Sequence, residues 1–413
     1  MSRPIGKPAL LATTENFDDV GEAWHNTELA RRPADGVIAT GLYKPDKPLA
    51  ADYANWRDKD FSRRLRDLDT IEIRNWSALI NTVHAGPTPA GTPTLVRGLG
   101  VKLWHEERPL VFMANEDEIM ISYDGGLTWA ADISLGAGAG VITDYAQCDL
   151  VPSVCPALNV ACFDNAGAGE VARTSLGSAW GSQALTSCTA TKGIGIDPYS
   201  GYVIVCGTHS GTFGIWRAPA VSGALTFTAV DTGDTNVSMG HVACSPTVQI
   251  AANDVNLWRW APGTFTPTMV AGPQGGGVNI ADLHWLPEDE LFILVAHAGA
   301  AAEVWTSPDG VTWTDKSAFV PTAFDGVATH TAATRGSIFA VSGQMTARNG
   351  ILWTGDAGLT WNWEPDPIAK GGYSLSGAGG APGRIAIGDR QWLAAAYDGS
   401  GNFDLAFGLR MGA

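Results

Sequence analysis

One phrase recurs three times in this chain of 413 residues: SYDGGLTW at 122–129, SPDGVTW at 307–313 and TGDAGLTW at 354–361. Repetition at a fixed period constrains the fold more than any composition figure, because each copy must be one supersecondary unit stacked on its neighbours. The closing tryptophans are Trp129, Trp313 and Trp361; the last two are 48 apart and the first two 184, four times 46. Degenerate copies therefore belong between them. RTSLGSAW ends at Trp180, RAPAVSGALTF at Phe227 and RWAPGTF at Phe265, giving successive spacings of 51, 47, 38, 48 and 48.

Each phrase is preceded by three apolar or β-branched runs separated by turns, as in ADLHW-LPEDE-LFILVAHAGAAA-EVWTS, and followed by a fourth, as in TWAADISL. Four antiparallel strands per ~46 residues is the signature of a propeller blade. The C-terminal unit has only three runs, at 384–387, 391–397 and 402–409, before the chain stops. Upstream, the stretch from Trp76, WSALINT, reads like the strands that follow the phrases. The expectation is an all-β, seven-bladed β-propeller with four-stranded antiparallel blades over residues 71–413. It is closed by an N-terminal strand beginning at Trp76, which hides sheet edges.

The phrases resemble the Asp-box, or bacterial neuraminidase repeat, Ser/Thr-x-Asp-x-Gly-x-Thr-Trp. The matches are Ser122, Asp124, Gly126, Thr128 and Trp129; Thr354, Asp356, Gly358, Thr360 and Trp361; and the one-residue-shorter Ser307, Asp309, Gly310, Thr312 and Trp313. The resemblance implies a sialidase-like propeller but no particular activity, since such boxes occur in enzymes and non-enzymes alike. The physics of the motif is that of a hairpin. Gly and Asp suit positive φ, the carboxylate accepts from turn amides, and the Trp fills the space between blades. Three equivalent aspartates spread around a ring cannot share one active site, so these are expected to be structural turns.

Composition agrees with many short strands. Gly is 50 of 413, Trp 16, and charged residues 16%. The net charge of −16 argues against nucleic acid or an anionic membrane as partner. The start, MSRPIGKPALLATTENFDD, has no signal-peptide core and the chain has no apolar run of transmembrane length, so synthesis in the cytoplasm without membrane insertion is expected. The six cysteines, Cys148, Cys155, Cys162, Cys188, Cys206 and Cys244, form no CxxC pair and read as buried free thiols.

Catalytic signatures are thin. The sialidase resemblance implies an Arg-Ile-Pro motif and an arginine triad, and neither can be assembled here. Glu288, Asp289 and Glu290 fall in a turn; Asp144 and Asp149 flank YAQC as funnel candidates. His105, His241, His284 and His330 lie in first-strand regions that line a propeller's channel. Repeat placement explains them, and no metal or cofactor is expected.

Residues 1–70 differ in kind. Residues 1–71 hold 11 of the 26 Lys and Arg and 12 of the 42 acids, leaving 15 and 30 to the rest. Two short helices, near 16–32 and 49–68, form a docking arm with Trp24, Tyr43, Tyr53 and Trp56 as anchors. The functional expectation is a non-catalytic structural or interaction propeller. Its arm binds other protein subunits, in the manner of a tailed-bacteriophage virion protein, and homo-oligomerisation is one arrangement it allows. The alternative is a propeller that binds or hydrolyses a surface glycan through its central funnel.

Overall fold

The computed structural model describes residues 82–85 and, apart from 366–383 and shorter loop stretches, residues 96–409. These all belong to one compact unit spanning Trp76–Arg410. Trp76, the arm with Trp24, Tyr43, Tyr53 and Trp56, and also Asp124, Gly126, Asp149, Cys155 and His330 lie outside the described residues.

The described chain is almost entirely strand. β1 (Thr82–Ala85) comes first. Successive meanders follow: β2 (Val96–His105), β3 (Arg108–Asn115), β4 (Glu118–Ser122) and β5 (Ala130–Ser134); then β6 (Val141–Cys148), β7 (Leu158–Asn165), β8 (Ala168–Ser175) and β9 (Gly181–Ala184). The third is β10 (Cys188–Asp197), β11 (Tyr202–His209), β12 (Thr212–Pro219) and β13 (Thr228–Asp231), and the fourth β14 (His241–Cys244), β15 (Gln249–Ala252), β16 (Asn256–Trp260) and β17 (Thr268–Ala271). Next come β18 (Asn279–Leu286), β19 (Leu291–Ala298), β20 (Ala301–Ser307) and β21 (Thr314–Asp315). A two-residue β22 (Phe324–Asp325) leads into β23 (Ala332–Arg335), β24 (Ile338–Met345), β25 (Arg348–Thr354) and β26 (Asn362–Pro365). The last run is β27 (Arg384–Ile387), β28 (Gln391–Tyr397) and β29 (Phe403–Leu409). Among the described residues the one helical element is a single 3-10 turn at Ser317–Phe319. No described helix is long and apolar enough to cross a membrane.

Every recorded strand pair is antiparallel, and the meanders form four-stranded sheets in simple sequence order. Two features depart from separate blades. β22 pairs with both β20 and β24 and fuses two meanders into one nine-stranded sheet. β1 pairs with β29, Thr82 opposite Phe407, so the last sheet runs β1-β29-β28-β27. The described part of that outer strand is Thr82–Ala85; Trp76, from which the sequence suggested it would start, lies outside the described residues. First strands lie side by side: β2 against β6, β6 against β10, β10 against β14, β14 against β18, β18 against β23, β23 against β27, and β27 against β2.

The reason is visible in the period-2 side-chain pattern. A strand buried on both faces sends alternate residues to different neighbours. Val203 and Val205 of β11 join a core with Leu158 and Val160, while Ile204 and Cys206 join one with Ala251 and Trp258. β19 does the same, with Phe292 and Leu294 facing Ile250 and Ile293 and Val295 facing Phe339. At the inner strands the backbones nearly touch. A Cβ on Gly193 would sit 2.1 Å from the carbonyl oxygen of Gly240, so only glycine fits there.

Candidate functional site

The box turns can be built atom by atom. In the shorter copy, Ser307 is fully buried at the end of β20. Its hydroxyl donates to Asp309 Oδ1 (3.0 Å) and accepts from the Asp309 and Gly310 amides (3.3 and 2.8 Å). Asp309 Oδ1 accepts from the Val311 and Thr312 amides, both at 2.8 Å, and Oδ2 from the Thr312 hydroxyl at 3.3 Å. The copy at 354–361 repeats this. Thr354 donates to Asp356 Oδ1 at 2.8 Å, and the Leu359 and Thr360 amides donate to the same oxygen at 3.1 and 2.8 Å. The Thr360 hydroxyl donates to Oδ2 at 2.7 Å. Burial pushes the Asp309 carboxyl up, but the Thr312 and Val311 amides and the two hydroxyls outweigh it and hold the group below its ordinary value. Asp356 is held low in the same way, chiefly by the Thr360 hydroxyl and amide.

Positive φ falls on Gly310 (+72°), Gly358 (+85°) and Ala357 (+53°), not on the aspartates. The Asp is required as an acceptor, and the left-handed positions belong to its neighbours. The missing residue of the shorter box has a cost. Trp361 Nε1 donates to Gly358 O at 3.2 Å, whereas Trp313 Nε1 is buried with no acceptor. In the first box, Ser122 is buried, Thr128 exposed and Trp129 half-buried. The box aromatics lodge between sheets. Trp180, Phe227, Phe265, Trp313 and Trp361 each pack on a core shared by their own meander and the one before it.

Where the Asp is lost, a different clasp stands. Arg217 lies 4.3 Å over the Tyr202 ring and 4.6 Å over Phe265. Its Nη1 donates to Gln249 Oε1 (3.3 Å), Pro262 O (3.2 Å) and Thr264 O, all in the following meander. Gln249, fully buried, also accepts from Trp260 Nε1 and donates from Nε2 to Asp197 and to Ser200 (3.0 Å). Asp197 in turn accepts from the Tyr199 and Ser200 amides of the β10–β11 turn. Burial lowers the Arg217 pKa. Arg173 holds the corresponding place in β8, opposite Val160 and Gly181 as Arg217 is opposite Ile204 and Thr228.

The first strands, with Asp164 of β7, carry the third group. β-bulges recur in β6 between Ile142 and Asp144, in β10 between Thr191 and Gly193, and in β18 between Ile280 and Asp282. A bulge re-aims side chains out of the ladder. Asp144 Oδ2 accepts from the Ile194 amide of the next meander at 3.0 Å. Asp164 Oδ1 accepts from the Thr191 amide (2.6 Å) and hydroxyl (2.9 Å). Asp282 Oδ1 faces His284 Nε2 at 3.2 Å and His241 Nδ1, from the preceding meander, at 3.5 Å. Burial raises the Asp282 carboxyl, and the two imidazoles, His284 foremost, bring it well below its ordinary value.

Among the four histidines singled out from sequence, the structure brings His241 and His284 together; the side chain of His105 is outside the described residues. The carboxylate that joins them, Asp282, sits inside ADLHW and is missed when only the histidines are counted. Glu288 and Glu290 are exposed and Asp289 half-buried in the β18–β19 turn. Burial, with Glu288 and Asp356 nearby, raises the Asp289 carboxyl. Cys148, Cys162, Cys188, Cys206 and Cys244 are buried free thiols. Cys188 is pushed up to about 12 by burial and Asp164, and Cys162 higher still, which leaves neither a nucleophile near neutral pH. Among the described residues no group of three or more His, Cys, Asp or Glu is placed to hold a metal ion.

No family model matches the chain, and no curated protein matches it. Solved structures do. A chain of the Mitotic Checkpoint Complex is similar at TM-score 0.54 and 12% identity, covering 89% of this chain and 98% of its own. The GH74 enzyme of Niastella koreensis is similar at TM-score 0.53 and 15% identity, over 78% of this chain; this chain spans about half, 53%, of that one. The β-propeller domain of the Trilobed protease from Pyrococcus furiosus is similar at TM-score 0.47 and 9% identity, covering 78% of this chain and 97% of its own. The first two of these neighbours have the β-propeller fold, and the sheets described above share it. At such identities the likeness concerns the fold alone.

Proposed function

We propose that this chain is a non-catalytic interaction propeller of seven blades, closed by β1 and anchored in a larger assembly by residues 1–70. The observation that carries the functional half is the employment of the acids on the first two strands of the meanders. Asp144 and Asp164 accept backbone amides of the neighbouring blade, and Asp282 lies between two imidazoles. General acid and base work needs carboxyls aimed at a substrate; these are aimed at the protein. Blade count and closure are supported by the succession of first-strand contacts, which returns from β27 to β2, and by the β1–β29 pairing. A virion surface is the setting we assign to such a module, with Trp24, Tyr43, Tyr53 and Trp56 as the arm's anchors.

The test has two arms. The full chain is assayed against a panel of fluorogenic sialosides and glycosides and a glycan array, and its native assembly is sized and imaged. Turnover that Asp144→Asn or Asp282→Asn abolishes would sink the non-catalytic reading. Loss of partner binding on removal of residues 1–70, with an unchanged melting curve for the remainder, supports the anchor. Deletion of residues 71–85 is expected to destabilise the whole ring, and a deletion that melts like the intact chain removes the closure.

A further inference from the structure

Three segments meet at the β15–β16 turn. The connection from β13 to β14 approaches from one side. Along it Asn236 N donates to Asp234 Oδ1 (2.8 Å), and Asp234 Oδ2 accepts from Asn253 Nδ2 (3.2 Å) and Asn256 Nδ2 (2.7 Å). Asn253, fully buried, accepts from the Val255 and Asn256 amides at 2.9 and 2.8 Å and donates to Asn236 O at 2.9 Å. From the other side comes the connection from β17 to β18. There Gln274 Nε2 donates to Asp254 O (3.4 Å) and Val255 O (3.0 Å), and the Ile280 amide donates to Asp254 O at 2.7 Å.

Within this densely paired network two atoms have no partner, and both are acceptors: Asp254 Oδ1 and Gln274 Oε1. Asp254 is 8% exposed and Gln274 9%. Rotating the glutamine amide does not help, because its Nε2 is fixed by two backbone carbonyls that only a donor can meet. The shortage of donors extends to Ser238, whose single hydroxyl proton faces both Asn236 Oδ1 (2.9 Å) and Asp254 Oδ2. Among the described residues no Lys, Arg or His comes within ion-pair distance of Asp254. A buried carboxylate with neither counter-charge nor full hydrogen bonding is expensive. The Gln274 amide is packed tightly against Gly272, where only glycine fits. A Cβ on Gly272 would meet Gln274 Oε1 at 2.3 Å and Val255 O at 2.4 Å.

We infer that Asp254 Oδ1 and Gln274 Oε1 are ligands of a bound hard cation of the calcium class, which ties both inter-blade connections to the β15–β16 turn. The donor set is oxygen only, one carboxylate and one amide, which suits calcium rather than thiolate- or imidazole-seeking metals. Water completes the sphere. The bound ion supplies the positive charge that the network lacks and so stiffens the loops on one face of the propeller.

The test uses the full-length chain, freed of metal by chelation, and titrates CaCl₂ alone, with NaCl at matched ionic strength as control. Calorimetry should show saturable binding, and a tenfold excess over Kd should raise Tm by about 2–3 °C. Asp254→Asn should weaken that binding at least tenfold. Asp254→Asn keeps the size of the side chain, and a calcium-free melting curve like that of the parent chain would show that the loss is of binding and not of folding. The proposal is overturned by an absence of saturable calcium binding, as a buried water at the site would produce. It is equally overturned by an equal response to NaCl, or by Asp254→Asn titrating like the parent chain.

Discussion

The hairpin that ends β20 and the one that ends β12 solve the same problem by opposite means. At Ser307–Trp313 the turn satisfies itself. One carboxylate and one hydroxyl take up the local amides, and what crosses to the preceding blade is an apolar indole. At Arg217 the turn has no such acceptor, and the polar connections run outward, from Arg217, Asp197 and Ser200 of one blade to Gln249, Pro262 and Thr264 of the next. The contrast separates two duties that the repeated phrase merges: folding a hairpin and joining two blades. The aspartate does the first, and the join can be polar or apolar so long as it is complete.

The sharpest way to break this contrast is Gln249→Leu. It strips partners from buried Asp197 and from Trp260 Nε1, and the expected loss is about 3 kcal/mol by chemical denaturation. A cost no greater than that of a box mutant would mean that the inter-blade network is incidental. Next, Arg217→Lys should lose about 1–2 kcal/mol. An ammonium cannot spread over two rings while reaching two carbonyls, although the charge is kept. Asp309→Ala should cost about 1–2 kcal/mol through lost turn hydrogen bonds. Combined with Gln249→Leu it should be additive within about 0.5 kcal/mol, because the two share no hydrogen-bond partner. Coupling beyond that would show the two clasps to be one system.

Acid separates them too. Asp309 and Asp356 have folded pKa values below their ordinary ones, so their contribution is fully present above the unfolded pKa and disappears as pH falls through the folded value. Between about pH 4 and pH 2 the parent chain should lose stability more steeply than Asp309→Asn, read from denaturation midpoints. The smallest effect belongs to Ala357, held at φ +53°. Ala357→Gly relieves a left-handed conformation and should raise stability by on the order of 0.5 kcal/mol.

Much of the propeller is legible from the chain because period-2 runs and box spacing are local signals. RIAI at 384–387 and the aromatics at Trp180, Phe227 and Phe265 sit where the repeat puts them. The register of β1 was not legible. Its partner among the described residues lies more than 300 residues away, so the register is set by pairing with Phe403–Leu409 and not by its own residues. The β22 bridge escaped for a related reason, being two residues that pair because two blades happen to meet there. The site-level contacts were harder still. Arg217 could have been found, since an arginine in the third strand (Arg173, Arg217, Arg259) accompanies all three units whose box lacks its aspartate. Asp282 could not, because only the bulge at Ile280 turns it towards His241 and His284.

The pairing of Thr82 with Phe407 has a consequence in time. On a ribosome the first strand of this unit emerges when its partner is still 325 residues from being made. At ordinary elongation rates that is a wait of roughly 15–60 s. Trp180, Phe227, Phe265, Trp313 and Trp361 each complete a core with the blade before, so the nascent chain matures one blade behind its own synthesis. Throughout that interval β1 is the strand left over, extended and unclaimed, and its edge is the surface a chaperone or a neighbouring nascent chain would meet first.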